Sequence, residues 1–290
     1  MVRLSQERLI LLVEPFLWTD GKEYKQNYKY DDAGNRTKFN FLGKSHKWKY
    51  KNKSDQIEFF WVTEKRGDAA WGEYYYDKNG NRLKYIQQDN KKVYEKHDYL
   101  WDMNNNLLTF SYNDKLAQSN RYDINNMRYM RTKYPKSKDR FIKPRNKWSN
   151  DHKTITTIYT YDNEQRLLKE THPLTPSLEK EGEIYYYVYL GAMKIARVEE
   201  VKGQNDIVGY YHNDVLGTPI VITTEVGKEG KVTKEYRTTY TDPWGNIDRS
   251  DDVGKSQYRQ LYTGKFLDFS TDLYYFHARF YDSNVGRFIG

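Results

Sequence analysis

The sequence predicts an all-β protein, a coiled antiparallel sheet of short hairpins, with any helix confined to its first twenty or so residues. Three observations carry that expectation. An aromatic-Asp phrase recurs along the chain, its flanks alternate between two faces, and its middle offers Gly or Asn where a tight turn needs positive φ.

The phrase is "YDDAGNRTKF" from Tyr30, "YDKNGNRLKY" from Tyr76, "WDMNNNLLTF" from Trp101, "YDINNMRYM" from Tyr122 and "YDNEQRLLKE" from Tyr161, with a worn copy, "YKNKSDQIEF", from Tyr50. Successive starts are 20, 26, 25, 21 and 39 residues apart, the last close to two units with one copy lost. Each unit reads as an aromatic strand end, an Asp that bonds the backbone ahead of it, a turn and a basic, aliphatic return strand. Asn79-Gly80 is a two-residue hairpin signal, and Gly34-Asn35 and Asn104-Asn105 serve similarly. Alternation puts Tyr74 and Tyr76 on one side and Tyr75 on the other. A hairpin alone cannot bury a face, so successive units must pair edge to edge into one sheet.

Composition narrows the function classes. A mean hydropathy of -1.03 and 30% charged residues lean toward disorder, but 17% aromatic residues, 29 of them Tyr, oppose it. Tyr supplies apolar area to a thin core while its hydroxyl stays wet or bonded. The formal charge of +8 comes from 48 Lys and Arg spread among 40 Asp and Glu, which gives no basic tail for nucleic acid. The densest basic run, "RTKYPKSKDRFIKPRNK" over residues 131–147, reads as a solvated loop. With no Cys there is neither a disulfide framework nor a thiolate site, and the six His, at 46, 97, 152, 172, 212 and 277, lack ligand spacing. No metal or cofactor is therefore expected, and neither GxSxG nor a phosphate-cradling loop occurs. The apolar run from Leu9 to Val13 is too short to span a bilayer, and Ser5 is placed to cap a short helix ending before Pro15.

The repeat resembles the YD repeat of the RHS family, which includes the cores of toxin-complex C subunits and the teneurins. The second half carries the more specific motifs. "YYYVYLGAMKIARV" from Tyr185 looks like the strand pair ahead of the family's core. "YYHNDVLGTPIVIT" from Tyr210 is similar to YYHxDHLGSPxxxT, with His212, Asp214 and Gly217 in place and Val215 where a second His is usual. "YTDPWGNI" from Tyr240 matches a YDPxGN unit through Asp242, Pro243 and Gly245. "YTGKFLDFSTDLYYFHARFYDSNVGRFIG" over residues 262–290 resembles the RHS-associated core, carried by Gly264, Asp268, Arg279, Gly286 and Arg287. In the first half the motif residues are Tyr30, Asp31, Gly34, Tyr76, Asp77 and Gly80.

The resemblance implies a spiral sheet closing into a hollow β-shell, a C-terminal plug made by the core motif, and a polymorphic toxin domain encoded after it. Residues 1–20 read as a leader or short helix, 21–183 as degenerate repeats and 184–290 as the core region of the same shell. In many family members two aspartates cut the chain, one as base and one as acid. Asp268 fills the first position, the second would lie beyond Gly290, and Leu267 stands where an Arg often precedes the Asp. Asp268 is thus an unpaired remnant of a self-cleavage dyad, and an isolated carboxylate has no partner to split its pKa. Asp282 belongs to a hairpin turn, and Asp242 to Gly245 form a turn with an aromatic peg.

Three functions stay open: a non-catalytic shell segment of a polymorphic toxin, a cell-surface adhesion or glycan-binding module, and a truncated self-cleaving aspartyl protease. The expected partners are a C-terminal toxin cargo, further shell segments, a secretion-system component or a glycan, in a secreted or cell-surface setting. A partial shell would leave an N-terminal edge near residues 24–41 open to pairing; Lys22, Lys25, Lys29 and Lys38 read as solvated lysines on a polar face in preference to charges that blunt that edge.

Overall fold

A computed structural model describes residues 3–5, 8–12, 16–17, 23–24, 27–41, 44–63, 69–88, 92–135, 154–172, 184–200, 205–228, 231–250 and 259–290. The chain forms two compact units, Met1–Tyr99 with Tyr112–Asp114, and Leu100–Ser111 with Lys115–Gly290. Among the described residues every strand pairing is antiparallel and no α-helix occurs.

In the first unit β1 (Arg3–Ser5) pairs with β2 (Arg8–Leu12), and β3 (Phe16–Leu17) pairs with β4 (Glu23–Tyr24). The main ladder runs from β2 through β5 (Asn27–Tyr30), β6 (Arg36–Phe41), β7 (Lys44–Tyr50), β8 (Ile57–Thr63), β9 (Ala69–Tyr76) and β10 (Arg82–Gln88) to β11 (Val93–Trp101). The second unit takes up the chain through β12 (Leu107–Tyr112). Its ladder runs through β13 (Lys115–Tyr122), β14 (Arg128–Lys133), β15 (Ile155–Tyr161), β16 (Leu167–Thr171) and β17 (Ile184–Leu190). It continues through β18 (Met193–Glu200), β19 (Ile207–Asn213), β20 (Pro219–Lys228), β21 (Lys231–Thr241) and β22 (Ile247–Ser250). A separate small sheet closes the chain, built from β23 (Phe266–Asp268), β24 (Leu273–Tyr275), β25 (Phe280–Asp282) and β26 (Arg287–Phe288).

Two expectations about the N-terminus are corrected. The helix capped by Ser5 is absent: residues 3–5 and 8–12 are strands, and Leu11 stands opposite Tyr28. Ile and Leu suit a pleated surface, and pairing satisfies more backbone groups than about two helical turns ending at a Pro would. For the same reason the edge expected near residues 24–41 is covered, because β2 pairs along β5 from Leu12↔Asn27 to Ile10↔Lys29.

The turns show what the repeated Asp does. Asp77 Oδ1 accepts hydrogen bonds from the backbone N–H of Asn79 and Asn81, at 2.9 and 2.8 Å, and Asn81 Nδ2 donates to Asp77 Oδ2 at 2.8 Å. Gly80 N–H donates back to the Asp77 carbonyl, and Asp77 N–H to the Asn81 carbonyl. The same pair of bonds from the second and fourth following N–H groups recurs at Asp31, Asp102, Asp123, Asp162, Asp214 and Asp242. This is a three-residue loop, Lys78 to Gly80, and not the two-residue Asn79-Gly80 hairpin that the sequence suggested. One side chain serving two N–H groups holds the first two loop residues in right-handed turn geometry, so positive φ is needed once, at Gly80 (φ 92°) or at Asn105 (φ 62°).

After most of these turns the ladder slips by one residue, as between Arg82 and Lys84 opposite Tyr76 and Tyr75. The bulge breaks the expected alternation. On β8, β10, β12, β14 and β16 the first two buried residues lie three positions apart: Ile57 and Phe60, Arg82 and Tyr85, Leu107 and Phe110, Arg128 and Arg131, Leu167 and Glu170. Incoming strands do alternate, with Tyr185 and Tyr187 buried and Tyr186 exposed.

The repeated Tyr completes the arrangement. The hydroxyls of Tyr50, Tyr122, Tyr161 and Tyr189 donate to the carbonyls of Arg36, Leu107, Arg128 and Leu167, at 2.9 to 3.0 Å. Tyr76 instead accepts from Ile57 N–H at 3.2 Å. In all five the partner is the first residue of the return strand in the preceding hairpin, where the bulge disturbs the ladder. Tyr122→Phe and Tyr161→Phe should each lower stability by about 1 kcal/mol, read from the urea midpoint at unchanged m-value. Tyr75→Phe, at an exposed ring, should be close to neutral.

Candidate functional site: an aspartate between two buried arginines

The core motif delivers Asp268 to the interior of the second unit, where it is 0% exposed. The bulge of β14 turns Arg128 and Arg131 to one face, opposite Tyr122 and Asn120. Both guanidinium groups reach Asp268. Its Oδ1 accepts from Arg131 Nη1 at 2.8 Å and Arg128 Nη2 at 3.3 Å, and its Oδ2 accepts from Arg128 Nη1 and from Gln118 Nε2 at 2.9 Å. Gln118 also accepts from Ser270 and donates to Asn120 Oδ1 at 3.0 Å, and Arg131 Nη2 lies 3.4 Å from Thr157 Oγ1. The Arg128 guanidinium stacks 4.2 Å over Tyr275, whose hydroxyl accepts from Arg128 N–H at 2.8 Å.

Burial alone would push the Asp268 carboxyl up, but the charges of Arg128 and Arg131, with hydrogen bonds from Arg128 and Gln118, hold it below the ordinary carboxylate range. A carboxylate with four donors and two positive neighbours is a poor base and does not keep a proton to give. Arg131 is therefore a correction: it sits in β14 at 2% exposure, not in a solvated basic loop. Residues 136–147 of that run lie outside the described residues.

A second buried network lies nearby in the same unit. Gln260 Nε2 donates to Glu170 Oε1 at 3.1 Å and to the Tyr187 hydroxyl at 2.7 Å, and Tyr211 donates to Gln260 Oε1 at 3.3 Å.

The remaining motif residues form the seam between the small sheet and the repeat turns. The hydroxyls of Tyr262, Tyr274 and Tyr281 donate to the carbonyls of Pro243, Gly245 and Trp244, and Asn246 Nδ2 to that of Ser283. Gly245 and Gly286 are required by close approach: a Cβ on either would stand 2.6 Å from the Tyr262 ring or 2.8 Å from Trp244. Gly264 lies against the Gly217 carbonyl, and Thr263 N–H donates to Thr218 Oγ1 beside the Asp214 turn.

His212 is exposed and lies 3.1 Å from Thr223 Oγ1 on the neighbouring strand. Arg279 stacks 3.8 Å over Phe288, Arg287 stands opposite Asp282, and Asp282 accepts from Asn284 N–H. Tyr30, Asp31, Gly34, Tyr76, Asp77 and Gly80 belong to turns of the first unit. In that unit an open cleft of about 810 Å³ runs between the Asp31 and Lys51 turns. Its indole, Trp48, is 6% exposed with the Arg36 guanidinium 4.7 Å over it, so it offers no free stacking face for a sugar. Among the described residues no metal-binding cluster occurs and no helix is long and apolar enough to cross a membrane.

No family model matches the chain. Over 219 residues, 74% of this chain, it is 27% identical to the tRNA3(Ser)-specific nuclease WapA of Bacillus spizizenii, and equally to the tRNA nuclease WapA of Bacillus subtilis. The chain spans 8% of the length of either relative. A crystal structure of TcdB2-TccC3 overlaps 98% of this chain and 22% of that chain at 12% identity, with a TM-score of 0.37. At that score the overlap carries nothing about function.

Sequence reasoning found Asp268 but missed Gln118, Arg128, Arg131, Glu170 and Gln260. One signal was present: Arg36, Arg82 and Arg128 each follow their repeat Asp by five residues, and all three are buried. Asp268→Asn keeps the shape but leaves two buried cations uncompensated, and should cost about 3–5 kcal/mol. The folded-state carboxyl lies below its unfolded value of about 3.9, so its contribution is full above that pH and fades as pH falls through the folded value. Acid titration of the urea midpoint should therefore fall more steeply in the wild type than in Asp268→Asn.

Proposed function

We propose that the chain is a structural, non-catalytic shell segment of an RHS-type YD-repeat toxin that encloses or presents a C-terminal polypeptide effector. The observation that carries this reading is the seating of the core motif. Asp268 is saturated by arginines from the repeat strands, and the small sheet is bonded turn by turn onto Asp214 and Asp242 hairpins. Such a motif closes a wall and leaves Asp268 unsuited to proton transfer. The likeness to the WapA nucleases supports the toxin assignment coarsely, and their nuclease activity is not carried over to a chain spanning 8% of their length. Further shell segments or a secretion-system component are the partners this role calls for, in a secreted or cell-surface protein.

A protease-sensitive passenger fused after Gly290 tests the reading. It should be digested more slowly than the free passenger, and equal digestion would refute enclosure. The purified chain, incubated from acid to neutral pH, should keep its intact mass and leave tRNA uncut. A discrete shortened product that disappears in Asp268→Asn would restore the protease reading.

A further inference from the structure

Lys29 and Lys38 stand on the strands that the sequence marked as an edge, but β2 covers β5 there. The ladder gives them a different setting. Lys29 pairs with Lys38 and Lys38 with Lys47, so three lysines stand side by side across β5, β6 and β7. Neighbours in such a row are about 4.8 Å apart from strand to strand, and like charges directly opposite destabilise a sheet. Tyr28 and Trp48, next to them in sequence, are buried, which puts the lysines on the other face.

Among the described residues no carboxylate pairs with the row. Asp31 is committed to its own turn, Glu58 pairs with Lys49 at 2.7 Å, and Asp32 forms no ion pair with the row. The adjacent row on the same face is uncharged, formed by Asn27, Asn40, Ser45 and Thr63 in register.

The lysine row continues into aromatic rings. Lys47 pairs with Trp61 and Trp61 with Trp71. Phe59, on the same face, lies 4.7 Å from Trp61 and 5.2 Å from Trp71, at 16° to the latter. Trp61 is 36% exposed, and among the described residues no cation lies over these three rings, in contrast to Trp48 under Arg36. Beside them Glu73 accepts from the Tyr75 hydroxyl, and Gln88 pairs with Trp71. From Lys29 to Gln88 the row crosses β5 to β10, about 24 Å.

We infer that this face of the first unit binds an acidic polysaccharide in which uronic acid residues alternate with uncharged sugars. The carboxylates lie on Lys29, Lys38 and Lys47, and the C–H faces of sugar rings stack on Trp61, Trp71 and Phe59. Charge complementarity selects an anion, because a bound anion removes the repulsion within the row. Three rings offer far less than the ~800 Å² per partner of a stable protein interface, whereas sugar stacking needs only ring-sized apolar faces flanked by polar groups. Single-stranded nucleic acid also combines anions with stacking, but it carries a charge at every residue. An alternating polysaccharide can set an uncharged sugar beside Glu73, whose carboxylate accepts from its hydroxyls. The inference rests on the first unit alone and holds whether or not the chain encloses an effector.

Binding of a hyaluronan oligosaccharide to the full chain should be measured by calorimetry over a range of salt, beside an uncharged chitin oligosaccharide, oligo-dT and poly-glutamate. The hyaluronan fragment should bind, and more weakly as salt rises. Lys38→Gln and Lys47→Gln should each weaken it by about tenfold and flatten the salt dependence. Trp61→Thr should weaken it by about the same factor with the salt dependence kept, and Lys78→Gln, on a turn outside the row, should leave it unchanged. Removing a lysine from the row relieves repulsion, so the ligand-free thermal midpoint of Lys38→Gln should not fall, which separates a lost contact from lost folding. Equal binding of the chitin fragment, or equal loss in Lys78→Gln, would overturn the lysine row as the site. Equal binding of poly-glutamate, or full binding by Trp61→Thr, would overturn the role of the rings. Tighter binding of oligo-dT would replace the sugar by nucleic acid, and no binding of hyaluronan would overturn the proposal outright.

Discussion

Most of the Asp-turn hairpins carry a weak point of the same kind, and the fold depends on how it is covered. A bulge beside the turn breaks the ladder at the first residue of the return strand, and a buried backbone group left without a partner costs about 1–3 kcal/mol. The Tyr of the next repeat covers it, as Tyr122 does for Leu107 and Tyr161 for Arg128. The Asp beside that Tyr organises the next turn, so the dipeptide joins one hairpin to its predecessor while building its own. Phe could fill the same volume as Tyr but not the same bond, which accounts for a core rich in phenols.

The bulge also explains buried arginines in a sheet. It brings the residue after the turn inward, and Arg36, Arg82 and Arg128 occupy that place. Each guanidinium lies over aromatic faces: Arg36 over Trp48 at 4.7 Å, Arg82 over Tyr74 at 4.6 Å and Arg128 over Tyr275 at 4.2 Å. Stacking of this kind contributes about 2 kcal/mol or more when desolvated, which offsets only part of the loss of hydration. At Arg128 a further compensation is available, because Asp268 from the far end of the chain meets it with full charge. Removing either partner strands the other, so the core motif and the repeats specify each other's position.

That dependence separates what could be read from the sequence and what could not. The all-β class, the Asp turns and the positive-φ positions follow from local chemistry: Asp77 reaches the N–H groups of Asn79 and Asn81, and Gly80 alone must take positive φ. These interactions span at most four residues, so the order of residues determines them. The N-terminal run misled because local capping by Ser5 was weighed without the strand at Asn27–Tyr30 that claims it. Arg131 misled because its sequence neighbours are basic and polar, while its spatial neighbours are Asp268 and Thr157.

By itself, then, the sequence determined the turn, the repeat and the presence of a core motif, all set by side chains bonding to backbone nearby. The register slip at each bulge, the inward turn of Arg128 and Arg131, and the ionised state of Asp268 were decided only in the tertiary structure. The reason is electrostatic and geometric. A carboxylate's proton affinity depends on charges within a few ångströms in space, and those charges lie 137 and 140 residues away along the chain.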